Sequence, residues 1–145
     1  MGEQDIKREF PNLESNFNIT SPVDPDYNCI AWAANNNDLW WWPDIQGTKY
    51  WPLGIEREET IDAFIKAYEK IGYTVCANGD LESGYDKIAI FVSVRNKPLH
   101  AARQLNNGHW TSKLGEWEDI EHFNVQGVEG KHYGRVAVFM KRIKE

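Results

Sequence analysis

The clearest pattern of hydrophobic and polar positions is helical and spans residues 58–72. Apolar side chains recur there every three or four residues, which aligns them on one helix face: Ile61, Phe64, Ile65, Tyr68 and Ile71. Acidic residues crowd the first turn, where the helix dipole favours them, and Gly72 is typical of the position just beyond a helix end. The sequence therefore predicts an amphipathic helix whose apolar face packs on a core.

Strand patterns dominate the second half of the chain. β-branched and other apolar residues predict strands at 73–77, 87–94, 99–105, 109–114 and 133–140. The pair Asn107-Gly108 is a hairpin signal between the third and fourth of these strands. Cys76 is predicted to lie in the core, and residues 117–123 are predicted to form a loop or one helical turn.

The sequence predicts an irregular arm over residues 1–26. Prolines and aspartates at 21–26 disfavour a helix there, and alanines after Cys29 favour a short helix that begins at this cysteine. A tryptophan-rich loop with two prolines follows it. The order of helices and then strands predicts an α+β fold, with N-terminal helices packed on a C-terminal antiparallel β-sheet in a single domain of residues 27–145.

Composition and charge exclude several classes of partner. The chain has 145 residues and a net charge of −6, without a basic cluster, so we expect no nucleic-acid partner and no anionic membrane partner. There is no apolar run long enough to span a bilayer and no signal-peptide pattern, so we expect a cytoplasmic protein, with export by a signal-less route left open. Two cysteines without a disulfide framework suit a reducing compartment.

Cys29 is the candidate nucleophile. Free N–H groups and the dipole at a helix N-terminus favour a thiolate, which lowers the pKa of a thiol. The alternative is that Cys29 is a small buried apolar residue, as cysteines often are. A histidine, His100, begins a strand about seventy residues later, and the predicted hairpin brings polar side chains back beside it.

These motifs resemble the papain-like superfamily of cysteine hydrolases, above all its NlpC/P60 and CHAP branches. Cys29, Trp32 and Ala33 match the CHAP cysteine motif, and Ser112 stands twelve residues after His100, where NlpC/P60 proteins have a polar third residue. The motifs YNCxAWA and HxxRQ…GxWxSKxG also resemble an uncharacterised bacterial domain family. The resemblance implies a papain-like or NlpC/P60-like fold for residues 27–145.

The resemblance implies a catalytic Cys29, a general base His100 and an orienting Ser112. A three-residue hairpin loop pairs Gln104 with Trp110 and puts Ser112 on the His100 face, whereas a two-residue loop puts Lys113 there. We favour the three-residue loop because its length matches the hairpin of the families that the sequence resembles. Serine departs from the usual third residue of these families. The alternative orienting residues are Asp119, His122 and Thr111.

Aromatic and cationic side chains near these motifs are candidates for substrate binding. Aromatic walls bind peptide or sugar faces, and a lysine attracts a carboxylate. The candidates are Trp32, Trp40, Trp41, Trp42, Trp110 and Lys113. Zinc ligation by Cys29, His100, His109 and His122 lacks a close-spaced ligand pair, so we predict no metal and no cofactor.

The sequence thus favours a cysteine-dependent hydrolase or transferase that acts on amide, peptide or related acyl bonds of a peptide or protein substrate. The alternatives are a non-catalytic binding module that uses the tryptophan-rich loop, and a toxin or effector domain with the same chemistry. The oligomeric state is open.

Overall fold

A computed structural model describes residues 2–144 and consists mainly of one seven-stranded antiparallel sheet. The strand order is β1-β6-β5-β4-β3-β7-β2. The strands are β1 (Phe17–Ser21), β2 (Thr74–Cys76), β3 (Tyr85–Val92), β4 (Pro98–Gln104), β5 (Trp110–Lys113), β6 (Asp119–His122) and β7 (Arg135–Ile143). The helices are α1 (Glu3–Glu9), α2 (Cys29–Ala33) and α3 (Ile61–Glu69), with 3₁₀ turns at Pro11–Leu13 and Val125–Val128.

The predicted fold class is wrong. The structure is not a pair of N-terminal helices packed on a C-terminal sheet, and it gives no support to a papain-like or NlpC/P60-like fold. Its helices are short, and β1 precedes α2 and pairs with β6 at one edge of the sheet. The region 1–26, predicted as irregular, contains α1 and β1, and residues 117–123 contain β6 rather than a loop.

Weak hydrophobic patterns explain why the sequence did not predict β1 and β6 as strands. In β1 only Phe17 is buried, and β6 buries Asp119 and His122, whose polar side chains carry no hydrophobic signal. Backbone pairing with a neighbouring strand defines both segments as strands. Cys76 likewise lies on the short edge strand β2 and is only half-buried, so its predicted place in the core is wrong.

Helix α3 lies inside the segment that the apolar periodicity predicted. Thr60 caps it, because its side-chain oxygen accepts a hydrogen bond from the Ala63 N–H at 3.2 Å. The helix therefore begins after Thr60 rather than at residue 58. Gly72 adopts a φ of 97° beyond its end, a conformation that glycine adopts without strain.

Both faces of the sheet are covered, which divides the core in two. Ile88 and Ile90 of β3 pack on one face with α2, α3 and the tryptophan-rich loop. The neighbours Ala89 and Phe91 pack on the other face under α1 and the two 3₁₀ turns. Alternation along β3 thus assigns successive residues to opposite cores. None of the helices in the described part of the chain is long and apolar enough to cross a membrane.

The hairpin register between β4 and β5 is the predicted one. Gln104 pairs with Trp110, and the Leu105 N–H donates to the His109 carbonyl at 2.7 Å, which leaves a three-residue loop at 106–108. His100 pairs with Phe91, and Ser112 pairs with Ile120. Both partners belong to the core beneath α1, so His100 and Ser112 share that face of the sheet.

The loop before β7 ends at Gly134, a position that only glycine fits. Gly134 has a φ of 67°, and a Cβ added to it would lie 1.9 Å from the Val92 carbonyl oxygen. Gly130 and Gly134 also exchange two backbone hydrogen bonds, of 3.0 and 2.8 Å. The loop residues between them, which include Tyr133, are therefore held in one position.

Replacing Gly134 by alanine should be among the most destabilising small substitutions in the chain. A non-glycine residue at positive φ costs about 1–2 kcal/mol, and the clash with a backbone carbonyl adds about 1–3 kcal/mol. Gly84→Ala is the matched control, because Gly84 has a φ of 85° with nothing within 4 Å of the added Cβ. Urea unfolding should give a free-energy loss of about 1–2 kcal/mol for Gly84→Ala and clearly more for Gly134→Ala. Equal losses would contradict the clash.

Candidate active site

The start of helix α2 is fixed by Asn28. Its side-chain oxygen accepts hydrogen bonds from the N–H groups of Ala31, at 3.2 Å, and Trp41, at 3.0 Å, and its amide donates to the Trp41 carbonyl at 2.7 Å. An asparagine in this position satisfies an N–H that would otherwise lack a partner. The helix therefore begins at Cys29, which confirms the predicted position of the thiol.

The Cys29 thiol is almost completely buried, with 6% of the residue exposed. Burial raises its pKa to about 11, although the backbone N–H groups of Ala101, Ile30 and Cys29, and the charge of Lys113, act in the opposite direction. The thiol is therefore protonated near neutral pH. The helix N-terminus does not produce the lowered pKa that the sequence predicted, because desolvation outweighs it.

His100 is fully buried and is held by a short chain of polar contacts. Its Nε2 lies 2.9 Å from the Ser112 hydroxyl oxygen, which in turn lies 2.8 Å from His122 Nε2. His122 Nδ1 lies 2.8 Å from the Asn124 carbonyl oxygen. We name these four groups the His100–Asn124 chain. The structure thus brings together the predicted His100 and Ser112, and it places His122, one of the alternative orienting residues, against Ser112 rather than against His100.

Both histidines of the His100–Asn124 chain are neutral near pH 7. Burial holds the pKa of His100 well below its usual range, and the nearby His122 lowers it further. Burial also lowers the pKa of His122 to about 4, although the Asn124 carbonyl and Glu121 act in the opposite direction. Neither ring therefore carries a charge in the folded protein.

Tyr133 covers the His100 ring. The two rings are stacked, with centroids 3.9 Å apart and planes 9° apart, and Phe91 meets the same imidazole edge-on at 5.1 Å. Nothing in the sequence pattern pointed to Tyr133, because the contact depends on the Gly130–Gly134 loop. Tyr133 also lines a cavity of about 310 Å³, together with Phe10, Leu114, Gly115, Glu116, Trp117 and His132.

The structure brings Cys29 close to the backbone beside His100 but forms no hydrogen bond between the two side chains. The sulfur lies beside the Ala101 N–H, one residue from His100. The Ala101 side chain belongs to the same core as Cys29, so strand alternation turns His100 toward the other face. His100 Nδ1 is buried and has no hydrogen-bond partner within residues 2–144.

The alternative orienting residues are engaged elsewhere. Asp119 accepts hydrogen bonds from the hydroxyls of Tyr27 and Ser21, both at 2.6 Å. Thr111 accepts from the Trp32 indole N–H at 2.9 Å and donates to the Ile120 carbonyl at 3.1 Å. Neither side chain is hydrogen-bonded to His100, so Ser112 is the only one of the predicted candidates that meets the ring.

Lys113 is not a surface group that could bind a substrate carboxylate. The residue is fully buried, and its ammonium donates to the carbonyls of Gly115 and Trp117. It also lies 4.9 Å from the centroid of the Tyr27 ring. Its charge contributes to the environment of Cys29 from inside the fold, where it opposes the increase in the thiol pKa.

The tryptophans predicted to bind substrate mostly pack inside the protein. Trp41 and Trp110 are buried, and Trp42 meets Phe64 edge-on at 5.5 Å. Trp40 and Trp32 are half-buried, with Lys49 5.8 Å from the Trp40 ring. The loop therefore contributes to the core, where its aromatic area stabilises a segment with little regular structure. Within residues 2–144, no group of three or more His, Cys, Asp or Glu side chains could hold a metal ion.

The two neutral histidines should make folding stability fall in mild acid. Unfolded histidine takes up protons below about pH 6.5, whereas folded His122 does so only near pH 4, so acid favours the unfolded state between these values. Each such ring lowers the free energy of unfolding by up to about 1.4 kcal/mol per pH unit. We expect His122→Gln to reduce this slope in urea unfolding measured from pH 7 to about pH 4. Ser112→Ala, which keeps both histidines, is the control; a slope unchanged in His122→Gln would refute a depressed pKa for His122.

Comparison with known proteins assigns the chain to a family without assigning it an activity. A family model described as a domain of unknown function, DUF7689, matches residues 18–141, which include Cys29 and the whole His100–Asn124 chain. Searches of curated proteins and of solved structures give no match. These comparisons provide no link to the papain-like, NlpC/P60 or CHAP families. The chain belongs to the DUF7689 family, a domain of unknown function.

Proposed function

We propose that this domain is a cysteine-dependent hydrolase or transferase of amide, peptide or related acyl bonds, with Cys29 as nucleophile and His100 as general base. One observation carries the proposal: Nε2 of His100 is fixed by Ser112, while Nδ1 is buried without a hydrogen-bond partner in the described chain. An unsatisfied buried polar atom costs about 1–3 kcal/mol, so its persistence calls for a reason. A general base needs such a free nitrogen.

The position of the thiol supports the same proposal. Its sulfur lies beside the Ala101 N–H, in the residue that follows His100 in β4. The N–H groups of Cys29 and Ile30 at the start of α2 also lie close to the sulfur. Donors at a helix N-terminus stabilise negative charge, so they would suit both a thiolate and the oxyanion of an acyl intermediate.

The resting charges favour a general-base mechanism over a preformed thiolate–imidazolium pair. The pKa of the Cys29 thiol is raised to about 11 by burial, and the pKa of His100 is lowered by burial, so both groups start neutral. In this structure the two side chains face opposite sides of the sheet, so the step requires a rearrangement that brings His100 Nδ1 within hydrogen-bond distance of the Cys29 sulfur. His100 Nδ1 would then take the thiol proton as the sulfur attacks the acyl carbon, forming a C–S bond. The C–N or C–O bond then breaks, and Nδ1 returns the proton to the leaving amine or alcohol.

The second half of the reaction uses the same base. A water molecule or an amine attacks the thioester, its proton passes to Nδ1 and then to the Cys29 sulfur, and the C–S bond breaks. Water gives hydrolysis and an amine gives transfer. The proton balance closes without a redox step or a cofactor. Peptide or protein substrates are the proposed partners, because they supply the amide carbonyl that this chemistry needs.

The pH dependence of acylation should reveal whether His100 acts as the base. In a Cys76→Ser background, p-nitrophenyl acetate should acylate Cys29 at a rate that is nearly constant between about pH 7 and pH 9, because neutral His100 is available throughout. In His100→Ala only the thiolate reacts, so the rate should be about 10²–10⁴-fold lower near pH 7 and rise about tenfold per pH unit. Release of p-nitrophenolate gives the rate, and mass spectrometry of the acyl-enzyme identifies the acylated residue.

His109→Ala is the matched control. His109 is a half-exposed histidine bonded to Glu121 at 2.6 Å, and it is no part of the His100–Asn124 chain. This variant should retain the rate and the flat pH profile of the parent. If His100→Ala and His109→Ala behave alike, or if Cys29 is not acylated at all, the proposal of an enzyme fails. A non-catalytic binding module is then the better hypothesis.

A further inference from the structure

The direction of every hydrogen bond in the His100–Asn124 chain follows from its last member. The Asn124 carbonyl oxygen can only accept, so His122 Nδ1, 2.8 Å away, must carry a proton. A neutral imidazole has one ring proton, and burial keeps His122 neutral near pH 7. His122 Nε2 is therefore an acceptor, and the Ser112 hydroxyl donates to it across 2.8 Å.

The same logic passes from Ser112 to His100. The Ser112 hydroxyl has one proton, which it gives to His122, so its oxygen must accept in the 2.9 Å contact with His100 Nε2. His100 Nε2 then carries the only proton of a neutral ring. The lone pair is left on Nδ1, the atom that has no hydrogen-bond partner in the part of the chain that the structure describes.

We infer that His122 is a positioning residue, which acts through Ser112 to keep the basic lone pair of His100 on Nδ1. This inference rests on the proposed function, in which Nδ1 is the base. Without an acceptor at His122, the Ser112 hydroxyl is free to rotate and donate to His100 Nε2. The ring proton then moves to Nδ1, and the base is lost.

The chain also keeps its direction during the reaction. When Nδ1 takes the thiol proton, Nε2 still donates to Ser112, and Ser112 still donates to His122. No hydrogen bond has to reverse, so the proton transfer requires little reorganisation. A neutral acceptor stabilises an imidazolium less than a carboxylate does, which is consistent with a base that is neutral at rest.

His122 is held in the orientation that this role requires. The residue is fully buried, and its backbone pairs with Trp110 of β5 and Phe17 of β1. The Asn124 carbonyl belongs to the backbone, so no side-chain substitution at 124 removes the acceptor. A Cβ built on Gly127 would lie 2.8 Å from the Leu13 side chain, which is too close, and 3.8 Å from His122 Nδ1, which is an ordinary contact distance.

Nitrogen NMR of the histidine rings tests the inference without any substrate. Protein labelled with ¹⁵N-histidine gives long-range proton–nitrogen correlations that distinguish the two neutral tautomers. In the intact chain at neutral pH, His100 should have its proton on Nε2 and His122 on Nδ1, two opposite tautomers in one protein. His100→Gln and His122→Gln assign the signals.

Three variants separate positioning from packing. His122→Phe keeps an aromatic ring but removes the acceptor, so His100 should become a mixture of tautomers. His122→Gln supplies an amide oxygen near the place of Nε2 and should restore the Nε2-protonated form. Ser112→Ala breaks the link, so His100 should again be mixed while His122 keeps its proton on Nδ1. If His122→Phe does not fold, His122→Leu, which also lacks an acceptor, tests the same expectation.

The acylation assay adds a second readout. His122→Phe should lower the acylation rate at neutral pH by about three- to tenfold, the effect of one neutral hydrogen bond, and His122→Gln should recover most of it. The inference is overturned if His100 keeps a single Nε2-protonated tautomer in His122→Phe, or if intact His100 carries its proton on Nδ1. If the tautomers are as expected but Cys29 is not acylated, the proposed function fails while the direction of the chain stands.

Discussion

Burial of the sheet on both faces is the constraint on which the candidate site depends. A polar side chain in the middle of such a sheet has no water to bond to, and leaving it unpaired costs about 1–3 kcal/mol. The polar residues of β4, β5 and β6 therefore pair with one another or with the elements that cover them. His100 bonds to Ser112 on one face, and Thr111 bonds to Trp32 on the other. The candidate site is one part of this network rather than an addition to the surface.

The same burial determines the charge of the site. Desolvation raises the pKa of the Cys29 thiol and lowers the pKa values of His100 and His122. For Cys29 and His122 it outweighs nearby dipoles and charges that act in the opposite direction. A buried ion pair would have to recover the desolvation of two ions, which a hydroxyl orienting group does not achieve. A neutral thiol, a neutral imidazole and a neutral relay are mutually consistent, and they suit the general-base step of the proposed reaction.

Sequence periodicity predicted the local geometry of the site better than the architecture around it. The strand period of two put Ser112 on the His100 face once the resemblance had supplied the three-residue loop, and the turn-rich segment before Cys29 was enough to begin α2 there. The predicted fold class was wrong because β1 and its neighbour β6 have few apolar residues, so their pairing has no hydrophobic signature. The prediction of a lowered pKa for Cys29 was wrong for a related reason, because the burial of the thiol depends on the whole fold.

Hydrogen bonding explains why a serine lies between the two histidines. A hydroxyl both donates and accepts, so it connects the acceptor Nε2 of His122 to the donor Nε2 of His100. An ionised carboxylate at position 112 only accepts, and His122 already donates from Nδ1 to the Asn124 carbonyl. His122 would then need protons on both nitrogens, which means a charged imidazole in a site where burial lowers its pKa to about 4. A carboxylate orienting group is thus incompatible with a neutral His122. Serine is compatible because its hydroxyl accepts from one histidine and donates to the other without adding charge.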